Sequence, residues 1–156
     1  MKYPKVLLLC IICSVTFFTS CDEEGQSPIP YRPVKLTLYL SDRDSDLIPT
    51  LAAKTFTEPR DASDRIGFGG ILVINGFTTG GINIYAYDLA CPVEMADSSK
   101  LVRIIPDDVG CATCPQCGEL YELGYGKGVP TKGISKHTLR TYGVSYKGSN
   151  RYQVLN

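Results

Sequence analysis

Four cysteines carry the chemistry available to this chain: Cys91 in Asp88-Leu89-Ala90-Cys91-Pro92, then Cys111, Cys114 and Cys117 in Cys111-Ala112-Thr113-Cys114-Pro115-Gln116-Cys117-Gly118. Thiolates are soft ligands for zinc and iron, and paired thiols close disulfides. Cys114-x-x-Cys117-Gly118 has the spacing of a zinc-knuckle half, whose turn aims both sulfurs at one ion. The spacing therefore leaves open a metal centre with four thiolates, [2Fe–2S] or Zn, and a metal-free form in which the same cysteines make two disulfides in one of three pairings. Thioredoxin-type redox chemistry is disfavoured. It uses a helix N-terminus to lower a thiol pKa, and strand-like Glu119 to Leu123 follows the Cys114–Cys117 motif instead. No acid/base pair, triad or substrate motif is present, so the expectation is a non-enzyme. Glu94, the carboxylate nearest Cys91, reads as a solvated loop charge.

The chain has seven cysteines, and the other three lie near its start. Lys2 and Lys5 precede an apolar run from Val6 to Phe18, which is shorter than the roughly 20 residues a bilayer span needs. Residues 1–20 read as a secretory signal peptide that carries off Cys10 and Cys13. Phe18-Thr19-Ser20-Cys21 resembles a bacterial lipobox, although Phe18 stands where Leu is usual. That resemblance implies cleavage before Cys21, acylation of its sulfur and a lipid anchor in the membrane. Asp22-Glu23-Glu24 resembles the acidic surface-export signal of Bacteroidetes lipoproteins. The expected location is thus the bacterial cell envelope, with the outer membrane or cell surface favoured over the inner membrane. Residues 21–33 read as anchor and linker, with three prolines between Gly25 and Pro33. The leader has no Arg, so export by the Sec route is expected, and any metal or disulfide is acquired outside the cytoplasm.

Residues 34–156 must position the thiols. Sixteen acidic residues face the 14 basic ones left once Lys2 and Lys5 are removed, so the mature chain has no strong basic field and nucleic acid is not expected as a partner. Val34, Leu36, Leu38 and Leu40 alternate with polar neighbours and Tyr39, as in a half-buried strand. Further strands are expected at Gly70–Asn75, Ile82–Leu89, Leu101–Ile105, Glu119–Leu123, Thr138–Tyr146 and Arg151–Leu155. Leu47 to Phe56 is undecided between a short helix and irregular structure, and no useful helical period follows it. Asp42, Asp44 and Asp46 open like a calcium loop, but Leu47 replaces the needed Gly and Ala53 the needed Glu, so calcium is not expected. Gly67-Phe68-Gly69-Gly70 precedes a strand, the reverse of a phosphate-cradling loop, and reads as a flexible strand entry. The fold class expected is all-β, a sandwich or small barrel with the Cys-bearing loops at one end.

The stretch from Tyr85 to Val144 resembles a Rieske iron–sulfur domain. That family has a strand ending in Cys-x-His, then Cys-Pro-x-His-Gly, an aromatic, two glycines and a Leu-x-x-Tyr-x-Val strand. Here the counterparts are Cys91, then Cys114-Pro115-Gln116-Cys117-Gly118, Tyr121, Gly126, Gly133, Leu139, Tyr142 and Val144. The resemblance implies a Rieske-like domain with iron–sulfur binding, electron transfer and a redox or envelope protein as partner. Val93 and Cys117 occupy the two His places, and the sole histidine, His137, lies outside both loops. A mixed Cys/His centre is therefore not available. The ligand set implied is Cys91, Cys111, Cys114 and Cys117, with Cys111 reaching in from its loop. If the loops meet as in the family, the disulfide alternative pairs Cys91 with Cys114 and Cys111 with Cys117.

Overall fold

The computed structural model describes residues 27–132 and 135–156. The leader, Cys21, its acidic run and Gly133 lie outside these residues. Among the described residues, ten strands, one α-helix and a 3-10 turn at Ser45–Leu47 make up the regular structure: β1 (Val34–Tyr39), β2 (Ala53–Phe56), β3 (Arg65–Ile66), β4 (Ile71–Asn75), β5 (Ile84–Asp88), α1 (Pro92–Ser98), β6 (Ile105–Pro106), β7 (Cys111–Thr113), β8 (Leu120–Glu122), β9 (Thr141–Tyr146) and β10 (Arg151–Leu155). Seven strands pair antiparallel in the order β2-β4-β5-β9-β10-β1-β3 and curl into a nearly closed, barrel-like sheet. A second sheet, β6-β7-β8, sits beside it and carries three of the four cysteines. The all-β expectation holds.

Two-residue alternation explains how the sheets meet. On β1, Val34, Leu36 and Leu38 are buried while Lys35 and Tyr39 face outward. β4 is buried along its whole length, because both of its faces are covered. Its Ile71 and Val73 join the barrel core with Leu36, Leu38, Ala86 and Val154. Its Leu72 and Ile74 face a second core with Tyr87, Leu89, Cys91, Ala112, Cys114, Tyr121 and Leu123. β5 divides the same way, with Ile84 and Ala86 on the barrel side and Tyr87 on the other. Cys91 continues that second set through Leu89 and so faces the small sheet.

Several expectations change. Residues 92–98 form a helix, which seven residues could not announce by periodicity. Pro92 sits at its first position, where the missing N–H costs nothing, and Ser99 at φ 54° ends it. Part of the undecided stretch from Leu47 to Phe56 is neither helix nor irregular, because Ala53–Phe56 pairs with β4. The strand expected from Leu101 shortens to a bridge at Arg103 and the pair Ile105–Pro106. Within the expected linker, Ile29 is buried and its carbonyl accepts from Arg140 Nε at 3.1 Å. Asp44 of the Asp42–Asp46 loop is fully buried, with Arg60 Nη1 at 2.7 Å and Lys54 Nζ at 3.1 Å. These two cations neutralise it.

Candidate metal centre

Cys91 caps the N-terminus of α1, where the chain turns out of extended geometry. Its amide donates to Val102 O at 2.8 Å, and an antiparallel bridge pairs Ala90 with Arg103. Behind it, Asp88 is fully buried and accepts four hydrogen bonds. Gly69 N at 2.9 Å and Ala90 N at 2.8 Å donate to Oδ1, while Phe68 N at 2.9 Å and Tyr142 Oη at 2.6 Å donate to Oδ2. The glycine-rich loop does surround an anion, and that anion is the chain's own. A Cβ at Gly69 would lie 2.5 Å from Ala90 N and 2.6 Å from Asp88 Oδ1, so the wrap needs glycine there. Arg103 Nε donates to Gly69 O at 2.6 Å and ties the outer side of the loop to the chain beyond α1.

Cys114 and Cys117 lie on the turn between β7 and β8. Cys114 N donates to Glu119 O at 2.9 Å, and Gly118 N to Cys114 O at 3.0 Å. Gly118 takes φ +72° with open space where a Cβ would stand, so its glycine answers a backbone need and not a steric one. The backbone amides of Glu119 and Glu94 favour the charged forms of Cys117 and Cys91, against the larger opposing effect of burial. N–H donors of this kind stabilise thiolate charge.

The result is a triad. The Sγ atoms of Cys91, Cys114 and Cys117 all lie within 4.8 Å of one another. Cys91 and Cys117 are 3.8 Å apart, and Tyr121 Oη is 3.7 Å from Cys91 Sγ. Cys91 and Cys114 are buried, and Cys117 is half-buried. Burial is the largest influence on these groups. It raises the Cys91 thiol and, aided by the neighbouring cysteines, pushes Cys117 up to about 12. Burial, with the Cys91 thiol beside it, also holds the Tyr121 phenol well above its ordinary range.

Cys111 stands apart, which corrects the four-thiol expectation. Residues 111–113 are strand, paired to Glu122, Tyr121 and Leu120. Ala112 and Cys114 share the core face, and alternation turns Cys111 to the other side. The charged groups that act on it are Asp107 and Glu122, which add to burial in raising its pKa. Pairing Cys111 with Cys117 is unsupported for the same reason, and all four cysteines are free thiols here. Val93 packs against the second core from α1, and Glu94 is buried in place of the solvated charge expected. His137 lines a separate cavity with Val93, Asp97, Ser135 and Lys136.

Sulfurs bound to one tetrahedral ion at about 2.3 Å stand about 3.7 Å apart, and the Cys91–Cys117 separation of 3.8 Å matches. A [2Fe–2S] centre instead needs four ligands in two pairs, one pair on each iron. Among the described residues the site supplies three sulfurs that converge on one point, with the carbon side chain of Val93 packed against the same core. The donor set fits a single thiophilic ion and does not fit the binuclear cluster.

No family model matches the chain, and no curated protein matches it. Solved structures do. The chain is similar to one from a complex of reduced oxygenase and oxidized ferredoxin in carbazole 1,9a-dioxygenase, at 14% identity and TM-score 0.46, covering 76% of this chain and 99% of that one. It is also similar to the ferredoxin of carbazole 1,9a-dioxygenase from Nocardioides aromaticivorans IC177, at 18% identity and TM-score 0.44, covering 78% and 95%.

Proposed function

We propose that this chain is an envelope-anchored metal-binding domain on a Rieske-like β scaffold. Cys91, Cys114 and Cys117 hold one thiophilic divalent ion, and zinc is one whose bond lengths suit the sulfur spacing. The lipid anchor at Cys21 rests on the lipobox-like residues, and a redox or envelope protein is the partner class the Rieske resemblance supplies. The observation that carries the reading is the convergence of three sulfurs from two separate chain segments, with Cys91 and Cys117 3.8 Å apart. Zinc holds a single valence, so a zinc-loaded domain organises or binds and does not pass electrons.

The sulfur spacing also gives weight to one disulfide within the triad, since a bond of about 2.05 Å requires only a small approach of the loop tips. Metal content and intact mass of the purified full chain separate the readings. A colourless protein with about one equivalent of zinc is expected, retained by Cys111→Ser and lost by Cys91→Ser. A metal-free protein that gains about 2 Da per bridge on reduction overturns the metal reading. So does iron with visible charge-transfer absorption.

A further inference from the structure

Three sulfurs leave a four-coordinate ion one ligand short. We infer that Glu119 supplies the fourth ligand, through Oε2, to the ion held by Cys91, Cys114 and Cys117. This rests on the metal reading above and names the group that completes the site.

Glu119 is 1% exposed, yet its Oε2 has no hydrogen-bond partner, while Oε1 has only the adjacent Leu120 amide at 3.3 Å. A buried carboxylate oxygen without a donor is costly, and a cation removes the cost. The residue is also built into the knuckle. Its carbonyl accepts from Cys114 N at 2.9 Å, and it stands two residues after Cys117. Two-residue alternation places its side chain on the face shared by Tyr121 and Leu123, the face that looks into the thiol-bearing core. In the metal-free geometry its carboxylate stands outside the sulfur triad, so ligation requires rotation about its own side-chain torsions.

The other acids nearby are already engaged. Asp88 accepts four hydrogen bonds, and Glu94 Oε2 has Ser98 Oγ at 3.4 Å. Three thiolates and one carboxylate also carry the same total charge as the four thiolates of a structural zinc site. The Glu94 and Glu119 amides and the Tyr121 hydroxyl are on hand to offset it.

Cobalt(II) is the probe, because its d–d absorption reports coordination number. The purified full chain is titrated with Co²⁺, alongside Glu119→Gln, Glu119→Leu, His137→Gln and Cys91→Ser. The expected result is intense tetrahedral absorption in the parent and in His137→Gln. Both Glu119 variants should show weaker, shifted absorption and at least about a tenfold loss of affinity. Glu119→Leu removes the orphaned acceptor with similar volume, so its metal-free form should unfold no earlier than the parent, which separates lost ligation from lost folding. Parent-like spectra and affinity in both Glu119 variants overturn the inference and leave the three-thiol reading standing, provided Cys91→Ser has lost the band. A shift in His137→Gln alone gives the fourth place to His137 and overturns it too. Failure of the parent to bind Co²⁺ overturns the metal reading itself.

Discussion

Proton release on metal loading tests the site most directly, and pH is the perturbation. Burial raises the Cys91 thiol above the ordinary 9.0 and pushes Cys117 to about 12. Between pH 6 and 8 both are therefore protonated in the metal-free protein, and an ion that binds sulfur must displace both protons. These two protons alone make the apparent affinity rise about 100-fold per pH unit, or about 10⁴-fold between pH 6 and 8, and any proton displaced from Cys114 steepens the rise. Because burial holds both thiols protonated, proton competition persists to higher pH than it would for the same donors exposed. Zinc affinity is read by competition with a chromophoric chelator at half-unit pH steps. Calorimetry in buffers of different ionisation heat counts the protons independently. A slope below one per pH unit, or release of less than one proton, refutes the placement of these thiols as protonated ligands.

Three further outcomes are expected. Asp88→Asn turns one acceptor oxygen into a donor facing Phe68 N or Gly69 N, so at least one buried amide loses its partner; urea unfolding should show a loss of about 2–4 kcal/mol, and a loss under 0.5 kcal/mol would mean the cradle is not holding the loop. Gly118→Ala meets only the φ +72° penalty, because no atom stands within 4 Å of the new Cβ. It should cost about 1–2 kcal/mol of thermal stability, and a gain in melting temperature would contradict the turn geometry. The metal-free protein should weaken in alkali, since Cys91, Cys117, Tyr87, Tyr121 and Tyr142 all have raised folded pKa values, burial being the largest cause for each. Their stabilising effect is complete below about pH 9, where the unfolded thiols begin to ionise, and fades as pH climbs toward 12. Cys117 alone should cost about 1 kcal/mol by pH 10.5, after allowance for its partial exposure; flat urea midpoints from pH 8 to 10.5 would rule this out.

How much of this was legible beforehand depended on length. β1 alternates over six residues, and β4 and β5 are long apolar or alternating runs, so pattern alone placed them. β2, β3, β6 and β7 have two to four residues each, too few to show a period, and exist because a neighbour supplies hydrogen bonds. The same blindness misplaced Cys111. Three cysteines in seven residues look like one cluster, but a strand of three residues is enough to turn Cys111 away from Cys114. Cys114 and Cys117 were readable as a pair from their spacing, whereas Cys91 joined them only through what the Rieske resemblance implies. Glu119 was not noticed as a site residue, because an oxygen without a partner is a fact of three dimensions. The one available signal was its parity with Tyr121 and Leu123.

The split origin of the sulfurs has a consequence for how such a domain changes its chemistry. Cys91 comes off the end of a barrel strand, whereas Cys114 and Cys117 ride on a hairpin of the smaller sheet. Neither arm contributes to the barrel interior built by Leu36, Leu38, Ile71, Val73, Ala86 and Val154. A substitution at these tips therefore acts on the second core, with Leu72, Tyr87 and Tyr121, and leaves that interior in place. The architecture works as a fixed handle with replaceable jaws, and what the jaws grip can be rewritten one residue at a time.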